Sequence, residues 1–246
     1  MPSDAFVSKG ATPPSEYGRT VTGYDAVLFD NDGVLIEPPA RDTQHQATRA
    51  AFAEMGIEAV DRQHVRDITS GVTVERLHEI CTAHDLNPDA FWEARERHDE
   101  RPQLDAFRAG TRDRYDDVAA IADLSQDCGI VSNNHHSTAA FVLDFFDLRS
   151  AFDTHYGREK TVDSLRRKKP NPHYLDRALA DLDAASALYI GDSESDVIAA
   201  RRAGIDSVFV RRSRCRDVDL AATPTYEAGD LHEVAAIVDR QPSSEP

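Results

Sequence analysis

A short apolar strand that ends in two carboxylates constrains the fold of this chain more than any other feature. Residues 24–29 favour a buried strand, and Asp30, Asn31, Asp32 and Gly33 follow it directly. If the backbone stays extended, Asp30 and Asp32 share one face, because side chains alternate along a strand. Two neighbouring carboxylates repel each other, and Mg²⁺, which prefers oxygen ligands, would remove that conflict. The simpler alternative is an acidic turn, since Asn, Asp and Gly are ordinary turn residues.

Charge restricts the partners that this chain can bind. Its 246 residues include 44 acids and 28 bases, for a formal net charge of −16. The lysines are Lys9, Lys160, Lys168 and Lys169, so most positive charge is arginine. A negative field repels nucleic acid and anionic membranes, and we expect neither as a partner. An acidic surface poor in lysine resembles that of proteins from salt-loving organisms, where high salt screens the self-repulsion.

Cysteine spacing and the two ends of the chain indicate a cytoplasmic protein. Cys81, Cys128 and Cys215 are far apart and show no paired metal-ligand spacing, as expected of thiols in a reducing compartment. No stretch reaches the length of a membrane span, and the first residues lack an apolar signal core. Residues 1–22 and 241–246 are predicted to be a flexible extension and a flexible tail.

A helical segment interrupts the chain soon after the first strand. The Pro38-Pro39 pair ends the apolar run, and helical spacing then continues to about Gly110 without a strand pattern. The predicted helices cover Thr43 to Met55, Val74 to His84, and a third segment from Asn87-Pro88 to Arg101. We therefore expect residues 38–112 to form a helical cap inserted into the remaining fold.

From Asp116 onward, helices alternate with short apolar runs. The predicted helices are 116–127, 137–146, 172–182 and 196–203, and the predicted strands are 128–131, 152–156, 187–190 and 207–210. This alternation predicts an α/β fold with a Rossmann-like parallel sheet, built from residues 23–37 and 113–240. Reactive groups gather at the carboxyl ends of such strands, which would bring Asp30, Asp32, Ser132 and Asp192 together.

Four short motifs, in order, carry a family resemblance. They are Asp30-Asn31-Asp32-Gly33-Val34, Ser132-Asn133, Lys169-Pro170-Asn171-Pro172 and Gly191-Asp192-Ser193-Glu194-Ser195-Asp196. Together they resemble the haloacid dehalogenase (HAD) superfamily, in particular its capped subfamily I hydrolases of the phosphoglycolate phosphatase type. The resemblance covers about residues 23–240 and implies a HAD-like core with the helical segment as its cap.

The residues of the first motif can supply the chemistry of phosphate-ester hydrolysis. Asp30 is a candidate nucleophile that attacks phosphorus and forms an aspartyl-phosphate. Asp32 would protonate the leaving oxygen and then activate the water that cleaves the intermediate. Ser132 and Asn133 would bind the phosphoryl oxygens, with the positive charge of Lys169 close to them.

The resemblance also implies a metal site and its supporting residues. Mg²⁺ would be held by Asp30, Asp192 and the main-chain carbonyl of Asp32, where it would neutralise the meeting of two anions. Asp196 would support the metal shell or hold the lysine. Gly33 and Ser193 would support the geometry of the motifs.

Several neighbouring residues have two interpretations. Lys168, with Arg166 and Arg167, is predicted to belong to a solvated basic run. His45, His135 and His136 could touch substrate but are more simply exposed. Arg49 and Arg76 could reach a substrate anion from the cap but are more simply solvated on helix surfaces. Phe91 and Trp92 are expected in the core of the cap.

Three features narrow the reaction. Asp32 argues against a dehalogenase, which lacks an acid at that position. No lysine lies between Lys9 and Lys160, so the Schiff-base lysine of phosphonate-cleaving relatives has no counterpart. A phosphatase for small phosphomonoesters, of the phosphoglycolate or sugar-phosphate type, is the main expectation, and a β-phosphoglucomutase-like mutase remains its alternative. A non-catalytic binding protein is disfavoured because every motif acid is present. Substrate and oligomeric state are left open.

Overall fold

Six parallel strands form the centre of the computed structural model, which describes residues 23–240. The strands are β1 (Ala26–Phe29), β2 (Asp127–His135), β3 (Thr154–Arg158), β4 (Ala187–Gly191), β5 (Asp206–Val210) and β6 (Tyr226–Ala228). Their order across the sheet is β3-β2-β1-β4-β5-β6. This arrangement confirms the predicted α/β class with a Rossmann-like parallel sheet. The predicted extension 1–22 and tail 241–246 lie outside the described residues.

Strand β1 lies in the middle of the sheet because both of its faces are apolar. Val27 and Phe29 pack into the hydrophobic cluster on one face, and Leu28 packs with Tyr189 on the other. All of β1 is fully buried, and the side chains of Val27, Leu28 and Phe29 each contribute roughly 2 kcal/mol to folding. Phe29 pairs with Ile130 of β2 and with Ile190 of β4. The residues that follow Phe29, Ile130 and Ile190 therefore meet at one edge of the sheet.

Eight α-helices surround the sheet or form a separate layer within the described residues. They are α1 (Thr43–Glu54), α2 (Arg62–Thr69), α3 (Val74–Ala83), α4 (Pro88–Arg108), α5 (His136–Phe145), α6 (His173–Asp181), α7 (Glu194–Ala203) and α8 (Leu231–Asp239). Helices α5 and α8 pack on the same face as Val27, and α6 and α7 on the opposite face. Helix α4 begins at a defined point, because Asn87 Oδ1 accepts the Ala90 N–H at 3.0 Å and Pro88 follows the cap residue.

Helices α1–α4, which we call the helical insert, have a hydrophobic core of their own. Phe52, Leu77, Ile80 and Phe91 are buried in it, and residues of the 3₁₀-helix Val162–Arg166 join from the main body. The chain enters and leaves the insert at one place, where Ile36 and Arg114 form an antiparallel bridge. The insert therefore lies beside Asp32, and domain boundaries at residues 37/38 and 112/113 stay a prediction.

Several predicted elements have different bounds in the structure. The predicted helix 116–127 begins at Asp116 as expected but is a 3₁₀-helix that ends at Asp123. Strand β2 begins at Asp127 and continues past Ser132 to His135, because His135 pairs with Arg158 of β3. The third predicted helix corresponds to α4, which continues through Pro102 to Arg108, with Phe107 buried at its end. No sequence pattern predicted α2, β6 or α8 as separate elements.

No helix within residues 23–240 is both long enough and apolar enough to cross a membrane.

Candidate active site

Asp30 follows β1 directly and is the most central acid of the sheet edge. Its Oδ1 accepts the Asn31 backbone N–H at 2.7 Å and lies 3.0 Å from Lys169 Nζ. Within residues 23–240, Oδ2 accepts no hydrogen bond, so this oxygen is available to a ligand or an electrophile. Burial raises the pKa of Asp30 well above its ordinary value; Lys169 opposes the shift, whereas the neighbouring acids add to it.

Lys169 places its ammonium group between two buried carboxylates. Nζ lies 3.0 Å from Asp30 Oδ1 and 2.7 Å from Asp196 Oδ1. It also donates to the Tyr189 hydroxyl at 2.6 Å and to the Val131 carbonyl at 3.1 Å, and the Tyr189 hydroxyl donates in turn to Val131. Burial opposes the charge, but the two carboxylates outweigh it and raise the pKa of Lys169. The ammonium is therefore fixed in its charged form.

Asn133 holds the backbone of Lys169. Its Oδ1 accepts the Lys169 N–H at 2.7 Å, and its Nδ2 donates to the Lys169 carbonyl at 3.1 Å. Both ends of the amide are thus used to position the lysine. Ser132 is buried beside it, and its Oγ accepts the Asn134 N–H at 3.1 Å. The phosphate contacts expected of Ser132 and Asn133 stay predictions.

Asp30, Asp192 and Asp196 form a cluster that fits a divalent metal ion. Each offers a carboxylate oxygen, and these oxygens lie within 4.8 Å of one another. Burial, followed by repulsion from Asp196, raises the pKa of Asp192 to about 7. Lys169 supplies one positive charge to three carboxylates, so the cluster has an excess of negative charge. Oxygen ligands and excess negative charge suit a hard cation such as Mg²⁺.

Glycine at position 33 leaves the space in which the Asp192 carboxylate lies. Gly33 has φ +86°, and a Cβ built on it would stand 1.9 Å from Asp192 Oδ2. Ser193 fixes the next acid, because its N–H and its hydroxyl both donate to Asp196 Oδ2, at 3.0 and 2.6 Å. These two residues therefore set the positions of Asp192 and Asp196.

The side chain of Asp32 takes part in a hydrogen-bond network separate from the cluster of Asp30, Asp192 and Asp196. Arg112 donates to one of its oxygens, and Asn134 Nδ2 donates to the other at 2.9 Å. Gln103 Oε1 in α4 accepts from Arg112 at 3.0 Å and from Asn134 at 2.8 Å. The side chain of Asp32 is thus held by Arg112, which follows the insert, and by Asn134 of β2. The metal contact predicted for Asp32 is through its main-chain carbonyl. We call Asp30, Asp32, Lys169, Asp192 and Asp196 the acidic site.

Three residues that hydrogen-bond to the acidic site were not found from the sequence. Tyr189 had a weak signal, because it lies in the strand before Gly191 with its side chain on the face of Leu28. Asn134 directly follows the second motif. Arg112 had no signal, since 80 residues separate it from Asp32.

The basic run and the histidines differ from their predicted environments. Arg166 and Arg167 are exposed as expected, but Lys168 is half-buried against the insert, so its assignment to the solvated run is wrong. His135 is fully buried, 2.6 Å from Glu96 of α4, which corrects the expectation of an exposed loop residue. His136 is exposed.

The remaining residues of the insert lie close to expectation. His45 Nε2 is 3.4 Å from the Thr69 hydroxyl, and Arg76 forms an exposed ion pair with Asp67. Arg49 is exposed. Phe91 and Trp92 are buried in the core of the insert, which confirms their predicted position.

The described geometry suits nucleophilic attack on an anionic substrate. A buried carboxylate has one oxygen held by an amide and a lysine and the other oxygen free, and a second carboxylate lies two residues away for proton transfer. The fixed charge of Lys169 and a bound cation would both favour the approach of an anion.

The family model described as haloacid dehalogenase-like hydrolase matches residues 27–210. This range contains every residue of the acidic site and the whole helical insert.

Curated relatives of similar length are phosphatases by name. Phosphoglycolate phosphatase from Cereibacter sphaeroides is 31% identical over 184 residues, which covers 73% of this chain and 81% of that protein. N-acetylmuramic acid 6-phosphate phosphatase from Pseudomonas aeruginosa is 28% identical over 208 residues, with 76% and 81% covered.

Solved structures share the fold. CbbY from Rhodobacter sphaeroides in complex with phosphate superposes with a TM-score of 0.63 at 20% identity, covering 86% of this chain and 96% of that one. A mutant of CbbY in complex with xylulose-(1,5)bisphosphate gives a TM-score of 0.64 at 20% identity, covering 85% and 96%.

Proposed function

The chain belongs to the haloacid dehalogenase-like hydrolases, and from this premise we propose that it hydrolyses a small phosphomonoester through an Mg²⁺-dependent aspartyl-phosphate mechanism. It is a phosphoric monoester hydrolase, as its relatives are. The observation that carries the mechanism is the state of Asp30: Oδ1 is fixed by Asn31 and Lys169, and Oδ2 is left free to attack.

In the proposed reaction, Asp30 Oδ2 attacks the phosphorus atom while the ester oxygen leaves. Asp32 gives a proton to that oxygen, so the alcohol departs neutral. The same carboxylate then takes a proton from water, which attacks the aspartyl-phosphate and regenerates Asp30. Lys169 and Ser132 contact the phosphoryl oxygens during both steps.

Asp30, Asp192 and the main-chain carbonyl of Asp32 would hold Mg²⁺, with Asp196 supporting them. The bound ion supplies positive charge that offsets repulsion between a carboxylate and a phosphate. The acidic cluster supports this assignment, because its negative charge exceeds what Lys169 neutralises.

The names of the relatives favour hydrolysis over phosphoryl transfer between sugar hydroxyls, so the mutase is the less favoured alternative. The intact set of acids disfavours a non-catalytic binding protein. The substrate class that we propose is a small phosphorylated metabolite of the phosphoglycolate or sugar-phosphate type. The net charge of −16 disfavours nucleic acid and anionic membranes as partners. We propose a cytoplasmic location, where the three buried free thiols would stay reduced.

A panel assay tests the proposed function. Phosphate release from small phosphomonoesters is measured in high salt, with and without Mg²⁺, for the wild type, Asp30→Asn and the control Asp123→Asn. Asp123 is an exposed acid outside the acidic site. We expect Mg²⁺-dependent release by the wild type and the control and none by Asp30→Asn. Activity that survives in Asp30→Asn would refute the nucleophile, and isomerised sugar phosphate without release would favour the mutase.

A further inference from the structure

A pocket lies next to the acidic site. It is a cavity of about 420 Å³ between the helical insert and the sheet. Asn133 of β2 and Lys169 of the acidic site line it, and Trp92, Arg95, Arg158 and Lys168 are among its other lining residues. A volume of this size is typical of pockets for small molecules. We call this space the basic cavity.

Two arginines of the basic cavity share one carboxylate. Arg95 NH1 lies 2.8 Å from Glu96 Oε1, and Arg158 NH2 lies 2.6 Å from Glu96 Oε2. The same Oε2 is 2.6 Å from His135 Nε2. Asp99 is a weaker partner of Arg95, at 3.4 Å. All of these side chains are at least nine-tenths buried, so their charges are poorly screened by water.

Lys168 adds a third cation without an acidic partner. Within residues 23–240, its ammonium forms no hydrogen bond and no ion pair. Burial lowers the pKa of Lys168 to about 8; repulsion from Arg158 and Arg95 adds to the effect, and attraction to Glu96 opposes it. A half-buried cation that faces two others costs free energy unless an anion joins them.

The walls also contain buried donors that have no acceptor. Arg95 Nε and Trp92 Nε1 are both buried, and neither donates a hydrogen bond within the described part of the chain. Both residues line the basic cavity, and the Arg95 guanidinium stacks 5.3 Å from the Trp92 ring. A buried donor without a partner costs about 1–3 kcal/mol, which a bound acceptor would recover.

We propose that the basic cavity binds a second anionic group of the substrate, a carboxylate or a phosphate on the organic part that leaves as the alcohol. This inference rests on the proposed phosphatase function and narrows its substrate class. Lys169 turns toward Asp30, whereas Lys168 turns toward the insert, where its Nζ is 3.9 Å from a Cβ built on Gly71. Adjacent lysines would thus contact the two anionic ends of one molecule, and a neutral tail would leave Lys168 unpaired.

The test compares esters in matched pairs. Each pair has one member with a distal anion and one without: phosphoglycolate and ethyl phosphate, 6-phosphogluconate and glucose 6-phosphate, and fructose 1,6-bisphosphate and fructose 6-phosphate. The first two pairs test a carboxylate at two lengths, and the third tests a phosphate. The measured quantity is the ratio of kcat/KM within a pair, for the wild type, Lys168→Met and the control Lys160→Met. Lys160 pairs with Glu100 and does not line the basic cavity.

We expect at least one pair in which the wild type and Lys160→Met prefer the anionic member by about tenfold or more, as unpaired buried groups penalise the neutral member. Lys168→Met should lower that preference at least about tenfold. A ratio near one in every wild-type pair, or a preference that Lys168→Met retains, would overturn the inference and leave the phosphatase standing.

Hydrolysis of no ester by the wild type would instead refute the proposed function. Calorimetric binding of the same pairs to Asp30→Asn, with and without Lys168→Met, then tests the basic cavity without turnover. Tighter binding of an anionic member that depends on Lys168 supports the inference, and equal binding within each pair overturns it. Circular dichroism of each variant excludes loss of the fold as the cause.

Discussion

The acidic site and the basic cavity lie on either side of one loop and have opposite charge. In the acidic site, carboxylates outnumber the positive charge of Lys169, which favours a cation. In the basic cavity, the cations Arg95, Arg158 and Lys168 outnumber Glu96 and Asp99, which favours an anion. Each region is incomplete in isolation, and the missing charge indicates the kind of ligand. Two adjacent lysines can therefore have different functions: the fully buried Lys169 neutralises carboxylates, whereas the half-buried Lys168 leaves a positive charge unpaired.

Replacing Lys168 and Lys169 one at a time gives the largest expected effect on this contrast. Lys169→Met removes the counter-ion of Asp30 and Asp196, and we expect a loss of about 3 kcal/mol in the free energy of unfolding without Mg²⁺. Activity should fall roughly 10³-fold. Lys168→Met removes an unpaired charge and should change stability by less than about 1 kcal/mol. Urea denaturation and kcat measure both. Equal destabilisation by the two variants would contradict the contrast.

A methyl group at Gly33 tests how closely the acidic site is fitted. Gly33→Ala would force the Asp192 carboxylate to move, and we expect the apparent affinity for Mg²⁺ to fall about 10²-fold. Gly56→Ala is the matched control, because Gly56 has a similar φ of +82° but no atom within 4 Å of its Cβ position. Titration of activity with Mg²⁺ provides the measurement. Similar losses in both variants would assign the effect to backbone strain alone.

Arg112 tests whether the insert positions Asp32. Arg112→Met removes the donor that holds this carboxylate, so kcat for alkyl phosphates should fall roughly 30-fold, because their leaving oxygen needs a proton. An aryl phosphate with an acidic leaving group should lose much less. Arg112→Lys should recover part of the loss. A decrease of equal size for both kinds of ester would argue against a positioning role.

The smallest effect that we predict is the change in metal binding over a single pH unit. The pKa of Asp192 is raised to about 7, so below pH 7 the proton competes with Mg²⁺. The apparent affinity should fall about tenfold per pH unit below 7 and level off above it. The sign for stability is opposite: the metal-free protein binds this proton more tightly than the unfolded chain, so it gains stability as pH falls from 8 toward 5. Calorimetric Mg²⁺ titrations across this range measure the slope, and a flat profile would contradict the raised pKa.

The acidic site was predictable from the sequence because its residues lie within four short motifs, and Asp30 and Asp192 come directly after strands. Asp30, Ser132 and Asp192 each follow an apolar run, and the parallel register brings those runs side by side. The alternation of helices and apolar runs likewise predicted the sheet.

The basic cavity was not predictable in this way. Arg95, Arg158 and Lys168 come from three distant elements, and only packing of the insert on the sheet brings them together. Lys168 was predicted to be solvated because two exposed arginines precede it in the sequence, and no local pattern distinguishes it from them. Arg112 is similar, since its contact with Asp32 depends on where the chain returns from the insert.

The most direct test of the central claim is to detect the covalent intermediate on Asp30. The enzyme is mixed with Mg²⁺ and a phosphate ester that it hydrolyses in the panel assay. The mixture is quenched in acid within the first turnover, digested, and analysed by mass spectrometry. We predict a phosphoryl group on the peptide that contains Asp30, absent when Mg²⁺ is withheld and absent in Asp30→Asn. Rapid hydrolysis with no phosphorylated peptide, or a phosphoryl group on another residue, would contradict the account.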